Sequence, residues 1–79
     1  MFIVGEIQKG YYVEMNKSIG MKVKEARKGK KFSREQVARK IGVSQQQVAR
    51  YESGENSISA DRLALIATVL QKPIDYFYN

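Results

Sequence analysis

Ser33-Arg34-Glu35-Gln36-Val37-Ala38-Arg39-Lys40-Ile41-Gly42-Val43-Ser44-Gln45-Gln46-Gln47-Val48-Ala49-Arg50-Tyr51-Glu52-Ser53-Gly54 contains two helix starts and two helix stops in close succession. Ser33 followed by Gln36 fits a capping box, in which the serine hydroxyl accepts from the N3 amide while the glutamine reaches back to the cap. A helix therefore opens at Arg34. Its apolar face is Val37, Ala38 and Ile41, and Gly42 follows where a left-handed residue is needed to end it. Ser44 and Gln47 repeat the capping-box signal and open a further helix at Gln45. The apolar side of that helix is Val48 and Tyr51, its polar side is Gln45, Gln46, Ala49 and Arg50, and Gly54 closes it.

Working outward, Ile19, Val23 and Ala26 recur at i, i+4 and i+7, so from Lys17 onward a first helix precedes this pair and ends near Gly29. Downstream, Ser59 caps a fourth helix with Asp61 in its first turn. Leu63, Ile66, Ala67 and Leu70 form its apolar stripe, and Pro73 ends it. A last short helix, 74–78, is expected to turn Ile74 and Phe77 inward and to leave tyrosines for a surface or an interface. The expected fold is all-α: a compact five-helix domain over residues 17–79. Residues 1–16 form an N-terminal extension, in which Phe2-Ile3-Val4 and Tyr11-Tyr12-Val13 are β-prone triplets around a segment bounded by Gly5 and Gly10. That pattern predicts a strand or hairpin. Met15 reads equally as a second start or as an ordinary linker residue.

With 79 residues there is room for one domain, and a chain of this size buries only roughly 60% of its unfolded surface. There is no cysteine and no histidine, which excludes disulfides, thiol catalysis and the usual histidine-dependent triads and metal sites. Neither a phosphate loop nor a catalytic constellation is present, so no enzyme, no cofactor and no metal is expected. The longest apolar stretch, Leu63 to Leu70, falls far short of the ~20 residues that span a bilayer, and the first residues lack the pattern of a secretory signal. A cytoplasmic setting without membrane contact is the expectation.

The net charge of +6 is unevenly distributed. Between positions 17 and 50, Lys17, Lys22, Lys24, Arg27, Lys28, Lys30, Lys31, Arg34, Arg39, Lys40 and Arg50 face only Glu25 and Glu35, while both flanking segments are slightly acidic. Such segregation fits a polyanion footprint, because each phosphate neutralised releases condensed counterions. Charge alone fits a solvated lysine-rich surface equally well.

Two helices joined by a tight turn must pack closely. Small Ala38, turn-forming Gly42, and Val37, Ile41, Val43, Val48 and Tyr51 beneath them meet that demand together. An αα-hairpin without DNA-binding function packs in the same way. Residues 18–78, about three-quarters of the chain, resemble the lambda-repressor-like (Cro and phage-repressor type) helix-turn-helix family. The resemblance is carried by Ile19-Gly20-Met21-Lys22-Val23-Lys24-Glu25-Ala26-Arg27, Phe32-Ser33-Arg34-Glu35-Gln36-Val37-Ala38, Ile41-Gly42-Val43-Ser44, Tyr51-Glu52-Ser53-Gly54 and Leu63 to Leu70.

The resemblance implies double-stranded DNA as partner, read by a homodimer on a palindromic operator, usually in repression. Gln45, Gln46, Ala49 and Arg50 are the implied base contacts; glutamine suits adenine N6 and N7, and arginine suits guanine O6 and N7. Arg34, Ser44, Gln47, Asn56 and Lys31 are the implied backbone contacts. Relatives often carry glutamine where Arg34 stands, and proline where Ile58 stands. Arg27 and Glu52 are the implied structural ion pair, and Tyr76, Phe77 and Tyr78 the implied dimer interface. The alternative is an antitoxin or adaptor that binds a protein partner, such as a toxin or antirepressor, and regulates its own operon through the same helices.

Overall fold

A computed structural model describes residues 4–79. It contains four α-helices, α1 (Val4–Gly29), α2 (Arg34–Ile41), α3 (Gln45–Ser53) and α4 (Ala60–Leu70), followed by a 3-10 turn, Ile74–Tyr78. The all-α expectation and the boundaries of the three central helices hold. Ser33 forms both limbs of its capping box, with Gln36 N donating to Ser33 Oγ at 3.0 Å and Ser33 N donating to Gln36 Oε1 at 2.7 Å. Gly42 and Gly54 end α2 and α3 at φ 74° and 81°, where any other L-residue is strained.

Three expectations are corrected. The extension is not a strand or hairpin: positions 4–16, including Tyr11-Tyr12-Val13, continue α1, while Phe2 and Ile3 lie outside the described residues. Once the nucleus around Ile19 and Val23 forms, each added helical residue gains a hydrogen bond without a new nucleation cost. A lone two-stranded hairpin is marginal by comparison. The fifth α-helix is a 3-10 turn, because Pro73 and the short segment behind it admit only i to i+3 closure; Tyr76 N donates to Pro73 O at 3.0 Å. Within it Phe77 is completely buried, whereas Ile74 is 44% exposed. The turn packs against α1 and α4 with Phe77 in the core and Tyr76 at its edge, and Ile74 stays outside it.

The core is built from Ile19, Val23 and Ala26 of α1, Val37, Ala38 and Ile41 of α2, Val48 and Tyr51 of α3, and Leu63, Ile66, Ala67 and Leu70 of α4, closed by Phe77. α3 packs on both α1 and α2, and α2 also rests on α4. Gly20 makes the α1–α3 crossing close. A Cβ there would lie 2.7 Å from the Glu52 carbonyl oxygen and nearer still to that of Tyr51. At the first turn of α4, the hydrogen bond with the Ser59 side chain holds the Asp61 carboxyl below its ordinary value, which favours a negative charge at that helix start.

Two glycines of α1 should respond oppositely to a methyl group. Gly20→Ala forces α1 off α3 and should cost ~1–3 kcal/mol. Gly29→Ala adds its Cβ where nothing lies within 4 Å, and should stabilise by ~0.5–1 kcal/mol. Denaturant unfolding of the two variants checks both signs.

Candidate nucleic-acid interface

The outward side of α3 is set by what its inward side does. Val48 and Tyr51 are buried in the core, which leaves Gln45, Gln46 and Arg50 exposed and Gln47 and Ala49 half-buried at the margin. The sequence-predicted base-reading residues thus share one open side of one helix. Ser44 caps that helix by accepting from Gln47 N at 3.0 Å. The expected return bond from the Gln47 side chain does not form, so the cap has one limb and the Gln47 amide is not consumed by it.

Beyond α3, Asn56 is half-buried, and its backbone amide donates to Arg50 O at 3.3 Å, which folds the loop back over the helix end. Arg50 is half-exposed and its Nε lies 3.8 Å from Glu55 Oε2, a loose pair that solvent screens. Lys31 is exposed, and it is the left-handed residue (φ 60°) that turns the chain from α1 into α2.

Glu52 anchors α3 at its other end. Its side chain is 2% exposed and accepts from Arg27 Nε at 2.5 Å, from Arg27 Nη2 at 3.3 Å and from Arg34 Nε at 2.9 Å. Arg27 also donates from Nη1 to Phe32 O at 2.8 Å, so one guanidinium joins α1, the α1–α2 corner and α3. The expected Arg27–Glu52 pair is therefore present, and Arg34 joins it with 40% of its side chain still exposed. No buried side-chain nitrogen or oxygen lacks a partner among the described residues.

Sequence reasoning missed two supporting residues. Arg62 of α4 donates from Nη1 to Ile41 O at 2.6 Å, satisfying a carbonyl at the end of α2 and fixing the turn before α3. Nothing in the local pattern singles it out. Gly20 had a signal: a glycine inside a helical apolar repeat costs ~1 kcal/mol and so points to a close approach.

The carboxy-terminal residues divide. Phe77, expected at an interface, is wholly inside the chain's own core and offers no surface. Tyr78 is 56% exposed. Tyr76 is half-buried, edge-on to Phe77, with Lys22 Nζ 5.1 Å and Lys72 Nζ 4.7 Å from its ring centroid.

Among the described residues, no cluster of His, Cys, Asp or Glu could hold a metal ion, and no helix is long and apolar enough to cross a membrane.

Residues 23–77 match the helix-turn-helix family model of the Cro/C1 type. The chain belongs to the lambda-repressor-like helix-turn-helix family. Over 61 residues, 77% of this chain, it is 48% identical to an uncharacterized transcriptional regulator in the ATPase CF(0) region of Rhodospirillum rubrum, covering 56% of that protein. Over the same share of this chain it is 46% identical to an HTH-type transcriptional regulator of Rickettsia prowazekii, covering 47% of it. The chain thus spans about half the length of the curated relatives it matches. In fold it is similar to the restriction-modification controller protein C.AhdI of Aeromonas hydrophila, with a TM-score of 0.73 over 77% of this chain and 92% of that one, at 24% identity.

The anchor has an expected energetic signature. Glu52→Gln removes the charge that two arginines share and leaves Arg27 buried without a counter-ion, at a cost of ~3–5 kcal/mol. Arg34→Ala keeps the Arg27–Glu52 fork and should cost no more than ~1 kcal/mol, since its partner bond is half-exposed. Chemical denaturation of both variants measures the gap; equal losses would count against a buried pair as the anchor.

Proposed function

We propose that this chain is a sequence-specific double-stranded DNA-binding transcriptional regulator, and specifically a repressor that binds a palindromic operator as a homodimer. The observation that carries the reading is the open side of α3: exposed Gln45, Gln46 and Arg50 on a helix whose other side is locked into the core and whose last turn is anchored by Glu52. Family membership and the regulators among its relatives support the same reading. In this reading residues 17–79 are the DNA-binding unit and residues 1–16 an extension to it.

The roles follow from chemistry. Gln45 and Gln46 offer paired donor and acceptor to adenine, Arg50 offers its fork to guanine, and Ala49 lets the helix sit deep in the groove. Arg34, Lys31, Ser44, Gln47 and Asn56 contact the phosphate backbone and fix the register. Selection of bound sites from a random duplex pool should yield half-sites about one helical turn, ~10 base pairs, apart. Affinity should fall steeply with salt, with a log-log slope of ~0.9 per phosphate neutralised. Gln46→Ala or Arg50→Ala should cost ~1–3 kcal/mol on the selected site and much less on random duplex. Equal losses on both duplexes, with folding unchanged, would remove these side chains from base reading.

The homodimer reading rests on the surface around Tyr78. An apolar groove of about 430 Å³ between α1 and the loop after α3 is lined by Met15, Asn16, Ile19, Ser57, Ile58 and Tyr78. A second copy of the chain seated there would bring two α3 helices onto one face of a duplex. Tyr78→Glu places a charge in that contact and should shift the protein to monomer in sedimentation while its melting temperature holds. An unchanged dimer would move the interface elsewhere.

A further inference from the structure

The loop after α3 is tied back to Arg50. Gly54, in the left-handed region, reverses the chain, and Asn56 N then donates to Arg50 O at 3.3 Å. Ser53 Oγ donates to the same carbonyl at 3.2 Å and accepts from Glu55 N at 3.3 Å. The turn thereby sets a carboxylate beside the guanidinium five positions earlier in the chain, with Glu55 Oε2 3.8 Å from Arg50 Nε. The approach is to the Nε edge. The two Nη groups, at the tip of the fork, are bonded to no described residue, and they are the donors that an arginine turns end-on to guanine O6 and N7.

A carboxylate in this place is otherwise a cost. Glu55 is exposed and stands next to Asn56, a proposed backbone contact, where a negative charge repels the phosphates of any duplex. We propose that Glu55 is a specificity-determining residue: it holds Arg50 by the Nε edge, so that the Nη tip is aimed at a guanine and kept from neighbouring phosphates. This rests on the DNA-binding reading above and deepens it. On random DNA, Arg50 gains a phosphate only by leaving Glu55, and the carboxylate then stands uncompensated among phosphates. On the correct sequence, guanine takes the Nη tip while the Nε edge stays with Glu55. Water leaves the groove there, and a pair that solvent screens in the free protein strengthens as the surrounding dielectric falls. Discrimination then comes from weakening the wrong complex more than the right one.

The test uses the full chain as wild type, Glu55→Gln, Arg50→Ala and the double variant. Affinity is measured on a duplex recovered by selection and on a random duplex across a salt series, with thermal melting as the folding control. Glu55→Gln should melt as the wild type does and bind the random duplex more tightly. The magnitude of its salt slope on that duplex should rise by about one, as Arg50 takes a phosphate. The ratio of selected to random affinity should fall by about tenfold, within the discrimination that one bidentate arginine supplies. In the Arg50→Ala background the same change should leave the ratio as it is. Site selection repeated with Glu55→Gln should relax preference at the base pair that Arg50→Ala relaxes. A ratio unchanged by Glu55→Gln overturns the proposal and leaves the DNA-binding reading standing. A ratio that falls equally with and without Arg50 overturns it too, because Glu55 then acts on DNA by itself, and relaxed preference at a different base pair does the same. Wild-type protein that binds neither duplex overturns the functional reading, and this proposal with it.

Discussion

The carboxylate of Glu52 is the point through which three helices are referred to one another. A charge with 2% of its side chain exposed is costly to bury and tolerable only with excellent geometry, which Arg27 supplies by forking onto both carboxylate oxygens. Because Arg27 also holds the Phe32 carbonyl, the pair fixes the end of α1, the corner into α2 and the last turn of α3 together. Gly20 permits this, since any side chain there would hold α1 away from the backbone of Tyr51 and Glu52. Breaking the pair would disturb the pose of α3 even where the apolar core survived.

From that anchor the exposed end of α3 is a consequence. The buried Val48 and Tyr51 set the rotation of the helix, Glu52 sets where its last turn lies, and the Ser44 cap sets where it begins. Arg62, by tying α4 to the end of α2, stiffens the turn between α2 and α3 from the opposite side. Gln45, Gln46 and Arg50 are thereby displayed without helping to hold the fold beyond the weak Arg50–Glu55 contact. Positions that carry no packing load can vary to suit a target sequence while the frame stays the same.

Much of this was legible in the residues, and the boundary of legibility is physical. Caps and left-handed glycines act over three or four residues, so Ser33, Gly42, Ser44, Gly54 and Ser59 marked their helix ends correctly. Apolar spacing found the core, and the family pattern found Arg27 with Glu52. The amino-terminal part of α1 was misread because local β preference at Tyr11-Tyr12-Val13 competes with helix propagation from a distant nucleus, and propagation is not a local quantity. The Arg34–Glu52 and Arg62–Ile41 bonds join residues 18 and 21 positions apart, and no local pattern encodes such pairs. The inward turn of Phe77 was foreseen from spacing, while its family-derived role at an interface conflicts with its burial.

The central claim is that the anchored α3 presents its glutamines to the edges of DNA bases. Its most direct test is a nuclear magnetic resonance titration that follows the side-chain amides of Gln45 and Gln46, with a duplex recovered by selection and a random duplex as control. The account predicts large shifts of both side chains on the selected duplex and small ones on the control. Side-chain signals that stay unmoved at saturation, while the protein remains folded and bound, would contradict it.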